Sequence, residues 1–390
     1  MRYVPRDLTP VLRRAARAFP AVLVTGPRRS GKTTLLRHVF PRATYVLLED
    51  PDVLARVRAD PRAFLDGLAP PVILDEIQAA PELLRYVRSR IDAHPRRRGD
   101  WLLTGSQEAA LMRGVTESMA GRAAVLDLWP LSIHESPKVT PWRGGFPEVV
   151  ARPAAADLWL SSYVRTYLER DVRAITNVRD LAVFRRFLAL VGARTGQLLN
   201  RTELAGPLGL SVPTVTQWLS ILEITSQVVL VPPFHENFGK RLVKSPRLYV
   251  ADAGIACHLL GIASSDELER SPFLGPVYEG FVTAEIVKAQ AAAGRRRELY
   301  HFRDPQGLEV DLVVPTGPRR LALIEVKAAR TVVPHDAGPL LRLSAAVTRY
   351  EVDRFVVHRR GPGDPVTAAV APGVRAVTLE ELLPRLVAPG

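Results

Sequence analysis

The chain has 390 residues, 47% of them apolar, and carries 53 Lys and Arg against 40 Asp and Glu, a formal net charge of +13. That length predicts two or three domains, each with apolar residues enough for a core, while the single cysteine, Cys257, excludes an internal disulfide framework and a cysteine-based metal site. The longest uncharged stretch, 204–222, is broken by Pro207 and Pro213, and residues 1–17 lack the apolar segment of a signal peptide, so a cytoplasmic protein without a membrane partner is expected.

The first predicted element is an apolar strand, Ala21-Val22-Leu23-Val24. It leads into Gly26-Pro27-Arg28-Arg29-Ser30-Gly31-Lys32-Thr33, and Thr34 continues a predicted helix to Val39. Strand, glycine-rich loop and helix in this order make a P-loop: backbone N–H groups turn inward around an anion, and the helix N-terminus adds the positive end of its dipole. Lys32 would reach the β- and γ-phosphates of a nucleotide, and Thr33 would hold a Mg2+. Only six of the 53 basic residues are Lys, and Lys32 sits where a compact ammonium is not interchangeable with guanidinium.

Residues 44–48 form the next predicted strand, and a mostly helical stretch then leads to Val72-Ile73-Leu74-Asp75-Glu76. Four apolar positions ending in two carboxylates describe a buried parallel strand that delivers acids to the edge where open α/β sheets bind ligands. Downstream of a P-loop this is a Walker B pattern, with Asp75 holding Mg2+ through water and Glu76 orienting or deprotonating the attacking water. Beyond a predicted helix over 81–93, Trp101-Leu102-Leu103-Thr104-Gly105-Ser106 reads as another buried strand with a polar end. Here the chain resembles AAA-type ATPases of the additional-strand class, in which the strand after Walker B ends in a polar sensor. Thr104 or Ser106 would fill that role. Arg122, entering the strand 123–128, is a candidate contact to a γ-phosphate in its own subunit or in a neighbour of a homo-oligomer; the other reading is a surface arginine.

The ordered set 26–33, Leu-Asp-Glu-Ile-Gln at 74–78, Leu-Thr-Gly-Ser-Gln at 103–107, Ala-Gly-Arg at 120–122 and Gly-Gly-Phe-Pro-Glu at 144–148 resembles one prokaryotic family. Its members join an AAA-type ATPase to a C-terminal domain of uncharacterised function. The resemblance runs over nearly the full length and implies ATP hydrolysis with ATP and Mg2+ as ligands. The expected architecture is α/β, with an AAA-type ATPase domain over 1–150, a helical connector over 151–180, a winged-helix-like segment over 181–265 and a nuclease-like domain over 266–390.

In the connector, Leu158, Tyr163, Val164, Tyr167, Leu168 and Val172 recur at helical spacing, and Arg170 or Arg173 on the charged face could sense nucleotide. Next, residues 202–205, a turn at Gly209-Leu210 and residues 212–223 make a helix-turn-helix pattern, with Ser211 as N-cap and Pro213 in the first turn. Val215, Trp218, Leu219 and Leu222 supply its packing stripe, and the runs 228–231 and 247–250 could form a wing. Thr214, Thr216 and Gln217 on the exposed side include no arginine, so the unit either reads DNA or only packs. The basic balance favours nucleic acid, DNA rather than RNA, although the excess of Arg over Lys and the 33 Pro also fit the coding bias of a GC-rich genome. Asp252 and Gly254 match the family pattern without an evident role.

The last domain is predicted as helix 276–293, strands 298–303, 308–314 and 321–327, helix 338–347 and strand 354–358. A hairpin closing near Pro318 sets Asp311 opposite Glu325, and like charges facing across a sheet destabilise it. A Mg2+ or Mn2+ between them would resolve the repulsion. On the preceding helix Glu285 falls amid the apolar stripe, where a carboxylate needs a reason, whereas Glu279 lies nearer its edge. These features resemble the PD-(D/E)XK fold, a restriction-endonuclease-like domain: Asp311, Glu325 and Lys327 match its motif, and Glu285 its helix acid. In that reading the metal is held by Asp311, Glu325 and Glu285, it activates water, and Lys327 assists. Val310 precedes Asp311 in place of the motif's Pro, which many members of the fold also lack, and a fold kept for binding or as a scaffold is the alternative.

Overall fold

The computed structural model describes residues 3–105, 118–168, 181–234, 244–361, 363–364 and 368–387, in two compact units. One holds 1–131 with 224–226 and 291–295; the other holds 132–223, 227–290 and 296–390. Among the described residues no helix is long and apolar enough to cross a membrane.

In the first unit the chain runs α1 (Thr9–Ala18), β1 (Ala21–Thr25), α2 (Lys32–Val39), β2 (Thr44–Leu47), α3 (Pro51–Ala59), α4 (Pro61–Asp66), β3 (Val72–Asp75), α5 (Leu83–Ala93), β4 (Trp101–Thr104) and β5 (Ala123–Asp127). Its strands make one parallel sheet in the order β2-β3-β4-β1-β5. Side chains alternate across a strand, and the two faces of β1 go to two cores. Val22 and Val24 pack with Leu12 of α1 and Leu35 and Leu36 of α2. Ala21 and Leu23 pack with Leu74, Leu84 and Val87 under α5. Each such aliphatic side chain withdrawn from water stabilises the fold by ~1.5–3 kcal/mol. Asp50 and Asp60 cap α3 and α4, each accepting two backbone N–H groups ahead of a proline in the first turn. Because every strand runs the same way, the loop after β1, the acids ending β3 and the polar end of β4 share one edge.

The second unit opens with α6 (Pro147–Ala151) and α7 (Ala156–Tyr163). Ala156, Leu160 and Tyr163 form the buried stripe of α7, whereas Leu158 is 72% exposed, because it sits two residues from Ala156 and Leu160 on the opposite face. Arg170 and Arg173 lie outside the described residues. Then come α8 (Leu181–Ala193), β6 (Gln197–Leu198), α9 (Arg201–Ala205), α10 (Val212–Ile224), β7 (Val228–Val231) and β8 (Arg247–Val250). Ser211 Oγ accepts the Thr214 N–H at 3.2 Å at the head of α10. Trp218 packs edge-on to Phe184 and Phe187, with ring centroids 5.2 Å apart in both pairs, which fastens α10 to α8. The three strands are antiparallel in the order β6-β8-β7.

The motif residues Asp252 and Gly254, without a role in the sequence, have one here. Asp252 caps α11 (Ala253–Leu259) by accepting the Gly254 and Ile255 N–H groups, and its second oxygen accepts the Gly145 N–H at 2.7 Å. Gly144 turns at φ 69°, and any Cβ there would strike that carboxylate. The Gly-Gly-Phe-Pro-Glu motif is thus a docking point for Asp252.

The chain continues through α12 (Ser265–Arg270), α13 (Leu274–Ala292), β9 (Tyr300–Arg303), β10 (Glu309–Gly317), β11 (Arg320–Lys327), α14 (Gly338–Ala346), β12 (Glu351–His358), β13 (Ala369–Ala371), β14 (Val374–Val377) and α15 (Leu379–Val387). A mixed sheet, β13-β14-β12-β11-β10-β9, packs Val313, Leu323 and Val356 against Leu340 and Leu343 of α14. The β10–β11 hairpin pairs Leu312 with Ile324, which sets Asp311 opposite Glu325 as its spacing predicts.

Candidate functional site

At the shared edge of the parallel sheet, Gly26 takes φ 137° and its α-carbon lies so close to the Leu128 carbonyl that no Cβ fits. Arg29 and Glu76 both sit in the left-handed region, at φ 64° and 57°, a conformation that concentrates at functional sites. Lys32 is buried at the start of α2, its Nζ donating to the Gly26 and Pro27 carbonyls at 3.1 and 3.0 Å. Pro27 and Ser30 are buried, Arg28, Gly31 and Thr33 half-buried, and Arg29 and Thr34 exposed.

Asp75 is buried and ringed by hydroxyl donors. Thr33 Oγ1 lies 2.8 Å from its Oδ1, Thr104 Oγ1 donates to the same oxygen, and Tyr45 Oη donates to Oδ2 at 2.8 Å. Thr104 also accepts the Glu76 N–H at 3.0 Å, so one hydroxyl ties the Asp75 carboxylate to the Glu76 backbone. Glu76 Oε2 accepts the Gln78 side-chain amide at 2.5 Å. Ser106 lies outside the described residues. The backbone loop, an ammonium, a threonine hydroxyl and a carboxylate at one strand edge suit a nucleotide triphosphate with Mg2+, held by residues 26–34 and Asp75.

Within its own chain Arg122 stands away from the P-loop. β5 runs parallel to β1, so a residue entering β5 stands at the N-terminal edge of the sheet, opposite the P-loop; there the Arg122 carbonyl accepts the Ala21 N–H. Its guanidinium pairs with Asp92 of α5 at 2.6 Å.

Two residues at the nucleotide edge were not legible in the sequence. Arg6 is buried and braces the loop, Nη1 donating to the Ser30 carbonyl at 2.8 Å and Nη2 to the Trp129 carbonyl at 2.6 Å. Tyr45 reaches Asp75 from the edge strand β2 while Arg37 lies over its ring. Burial, reinforced by the Asp75 carboxylate, raises the Tyr45 phenol well above its ordinary range and keeps it a donor.

In the second unit Asp311, Glu325 and Lys327 do come together. Asp311 Oδ2 accepts the Val326 N–H at 2.9 Å, and Lys327 Nζ donates to Glu325 Oε1 at 2.8 Å. The expected helix acid does not join them. Glu285 is fully buried, and it accepts the Ile133 N–H at 2.9 Å and the Lys288 ammonium at 2.6 Å. Glu279 takes its place. α13 is buried on almost every side between Val277 and Gln290, so burial did not discriminate between its two acids.

A cation does sit among these carboxylates, and it belongs to the protein. Arg247 of β8, with only 6% of its side chain exposed, reaches Glu279 at 2.5 Å, Asp311 at 3.2 Å, and Glu309. Tyr249, two residues along the strand and so on the same face, donates to Glu279 at 2.5 Å. Burial first, and the nearby Asp311 charge second, push the Glu279 and Glu325 carboxyls up to about 7. Among the described residues no group of three or more His, Cys, Asp or Glu side chains is arranged to hold a metal ion. The repulsion that called for Mg2+ or Mn2+ is met by guanidinium and ammonium, so the residues as they stand do not fit a divalent ion.

Residues 18–136 match a family model described as an AAA domain; 140–266 and 274–370 match two domains of unknown function, DUF8612 and DUF4143. An uncharacterized protein of Mycobacterium tuberculosis and one of Mycobacterium bovis are each 32% identical to the chain over 378 residues, covering 90% of it and 84% of their own length. Among solved structures, a Walker-type ATPase of Pyrococcus abyssi aligns at 16% identity and a TM-score of 0.41, over 66% of this chain and 96% of its own. RuvB of Thermotoga maritima aligns at 16% identity and a TM-score of 0.26, over 58% and 89%.

Proposed function

The chain belongs to the family of these two mycobacterial proteins, its N-terminal domain is a P-loop AAA domain, and we propose that it is a cytoplasmic, Mg2+-dependent ATP-hydrolysing switch whose remaining domains bind nucleic acid without cutting it. One observation carries the ATPase reading: Thr33, Asp75, Glu76 and Thr104 are joined by direct hydrogen bonds at the strand edge that holds the P-loop. In this reading Lys32 and the loop amides bind the phosphates, Thr33 and Asp75 hold Mg2+, which neutralises phosphate charge, and Glu76 orients the attacking water. Thr104, bonded to the Asp75 carboxylate and to the Glu76 backbone, is the sensor.

Tyr45 is a positioning residue for Asp75. Tyr45→Phe removes one hydrogen bond to an ionised carboxylate, worth ~1.5–3 kcal/mol. ATP turnover at limiting Mg2+ is expected to fall about tenfold, which corresponds to ~1.4 kcal/mol, and to recover in part as Mg2+ is raised. A loss independent of Mg2+ would mean that Tyr45 serves only the fold.

For the rest of the chain, the order helix, strand, helix, helix, strand, strand from α8 to β8 supports a winged-helix reading, and α13 to β12 supports a PD-(D/E)XK-like one. The net charge of +13 supports a polyanionic partner. The test is threefold on the full chain: ATP hydrolysis by wild type and Lys32→Ala, DNA binding across a salt series, and Mg2+-dependent cleavage by wild type and Asp311→Ala. The reading expects hydrolysis lost with Lys32, affinity falling linearly with the logarithm of salt, and no cleavage by either protein. Salt-independent or absent binding would point to a protein partner, and cleavage lost in Asp311→Ala would restore the nuclease.

A further inference from the structure

The ion cluster between β8, α13 and the β10–β11 hairpin holds four carboxylates: Glu279, Glu309, Asp311 and Glu325. Glu325 is buried, one of its oxygens is taken by Lys327, and the other is buried without a hydrogen-bond donor. Four carboxylates this close together, all of them at least partly withdrawn from water, demand a counter-cation, and a hard divalent ion with oxygen ligands is one solution. A planar guanidinium that gives each acid a charge-assisted hydrogen bond is another. Either would stand between the same acids.

We propose that Arg247 is the resident cation of this cluster: its guanidinium takes the place of a divalent ion among Glu279, Glu309 and Asp311, and so closes the C-terminal domain to Mg2+ and Mn2+. The closure is a lock and not a gate. Arg247 lies on the central strand of its sheet, paired with Leu198 of β6 on one side and Val231 of β7 on the other, so its backbone is tied from both edges. Tyr249 fixes the shared acid from the same strand face. The acids are thus engaged by a cation of the chain itself, and one side chain withholds them from a metal. It also joins the strand carrying Arg247 to the nuclease-like sheet, a structural use for residues that resemble a catalytic set.

This inference rests on the non-cleaving reading of the C-terminal domain. Its experiment is Mn2+ uptake, followed by the spin-resonance signal of free Mn2+ in solutions of the full chain without nucleotide. Any uptake by wild type is expected to be unchanged by Asp311→Asn, since it arises at the nucleotide site or the surface. Arg247→Met is expected to take up about one further equivalent, lost again when Asp311→Asn is added. Wild-type uptake that Asp311→Asn abolishes overturns the lock, as does a folded Arg247→Met chain that gains nothing. Should Arg247→Met not fold, the wild-type comparison still decides. Uptake at the cluster without cleavage would sink the lock alone, whereas uptake with cleavage would sink the non-cleaving reading as well.

Discussion

Glu76→Gln is expected to lower the turnover number for ATP by ~10²–10⁴, the contribution typical of a positioned general base, while nucleotide affinity stays within about threefold of wild type. The amide keeps the size and hydrogen-bonding reach of the carboxylate but loses its basicity. Glu76 leaves the strand in the left-handed conformation with its N–H on Thr104, so its backbone is fixed by the neighbouring strand. The substitution touches neither Lys32 nor the loop amides, and therefore separates hydrolysis from binding. Lys32→Ala should do the reverse and weaken binding itself. Turnover at saturating ATP, together with the affinity for a fluorescent nucleotide, distinguishes the two. If turnover in Glu76→Gln fell by less than about threefold, another group would be the base, and the contact between Gln78 and Glu76 would be only structural.

What could be read from the sequence tracks the distance over which a residue finds its partner. The P-loop is eight consecutive positions, and the Walker B pattern is an apolar run ending in two acids downstream of it, so both can be read along the chain. The hairpin 309–327 is also local, and its register puts Asp311 against Glu325. For Arg122 strand polarity decides only against a contact within its own subunit: once the sheet is parallel, a residue ahead of a strand belongs to the edge away from the loop that follows a neighbouring strand. Glu285 failed because a helical wheel names the buried face of a helix, and α13 has hardly any other kind. Tyr45 and Arg6 meet their partners 30 and 24 residues away through tertiary packing, with no pattern of their own. Arg247 and Asp311 are 64 residues apart, on a strand and a hairpin that the pattern of predicted elements assigns to separate domains. The sequence did show that the acids needed a cation; it did not show that the chain supplies one.

Arg247→Ala is expected to destabilise the second unit by ~3–5 kcal/mol at pH 8, the cost of leaving buried charges without their counter-ion. By contrast Arg360→Ala, which breaks a solvent-exposed pair with Glu381, should cost ~0–1 kcal/mol. The larger cost should depend on pH, with a determined sign. Glu279 and Glu325 are raised from 4.5 to about 7 in the folded protein, so the folded state holds more protons than the unfolded one between those values. The stability they contribute is complete below about 4.5 and is lost as pH rises through about 7. Arg247 is among the groups that hold Glu279 down, so its removal lifts that carboxyl further and extends the loss to higher pH. Near pH 5 Glu279 and Glu325 are largely neutral in the fold, and Glu279 needs the guanidinium less. Urea unfolding of wild type and Arg247→Ala at pH 5 and pH 8 should therefore show a gap that widens with pH, and adding Asp311→Asn should narrow it at pH 8. A gap of the same size at both values would mean that Arg247 contributes through packing of its side chain and not as the cation of the cluster.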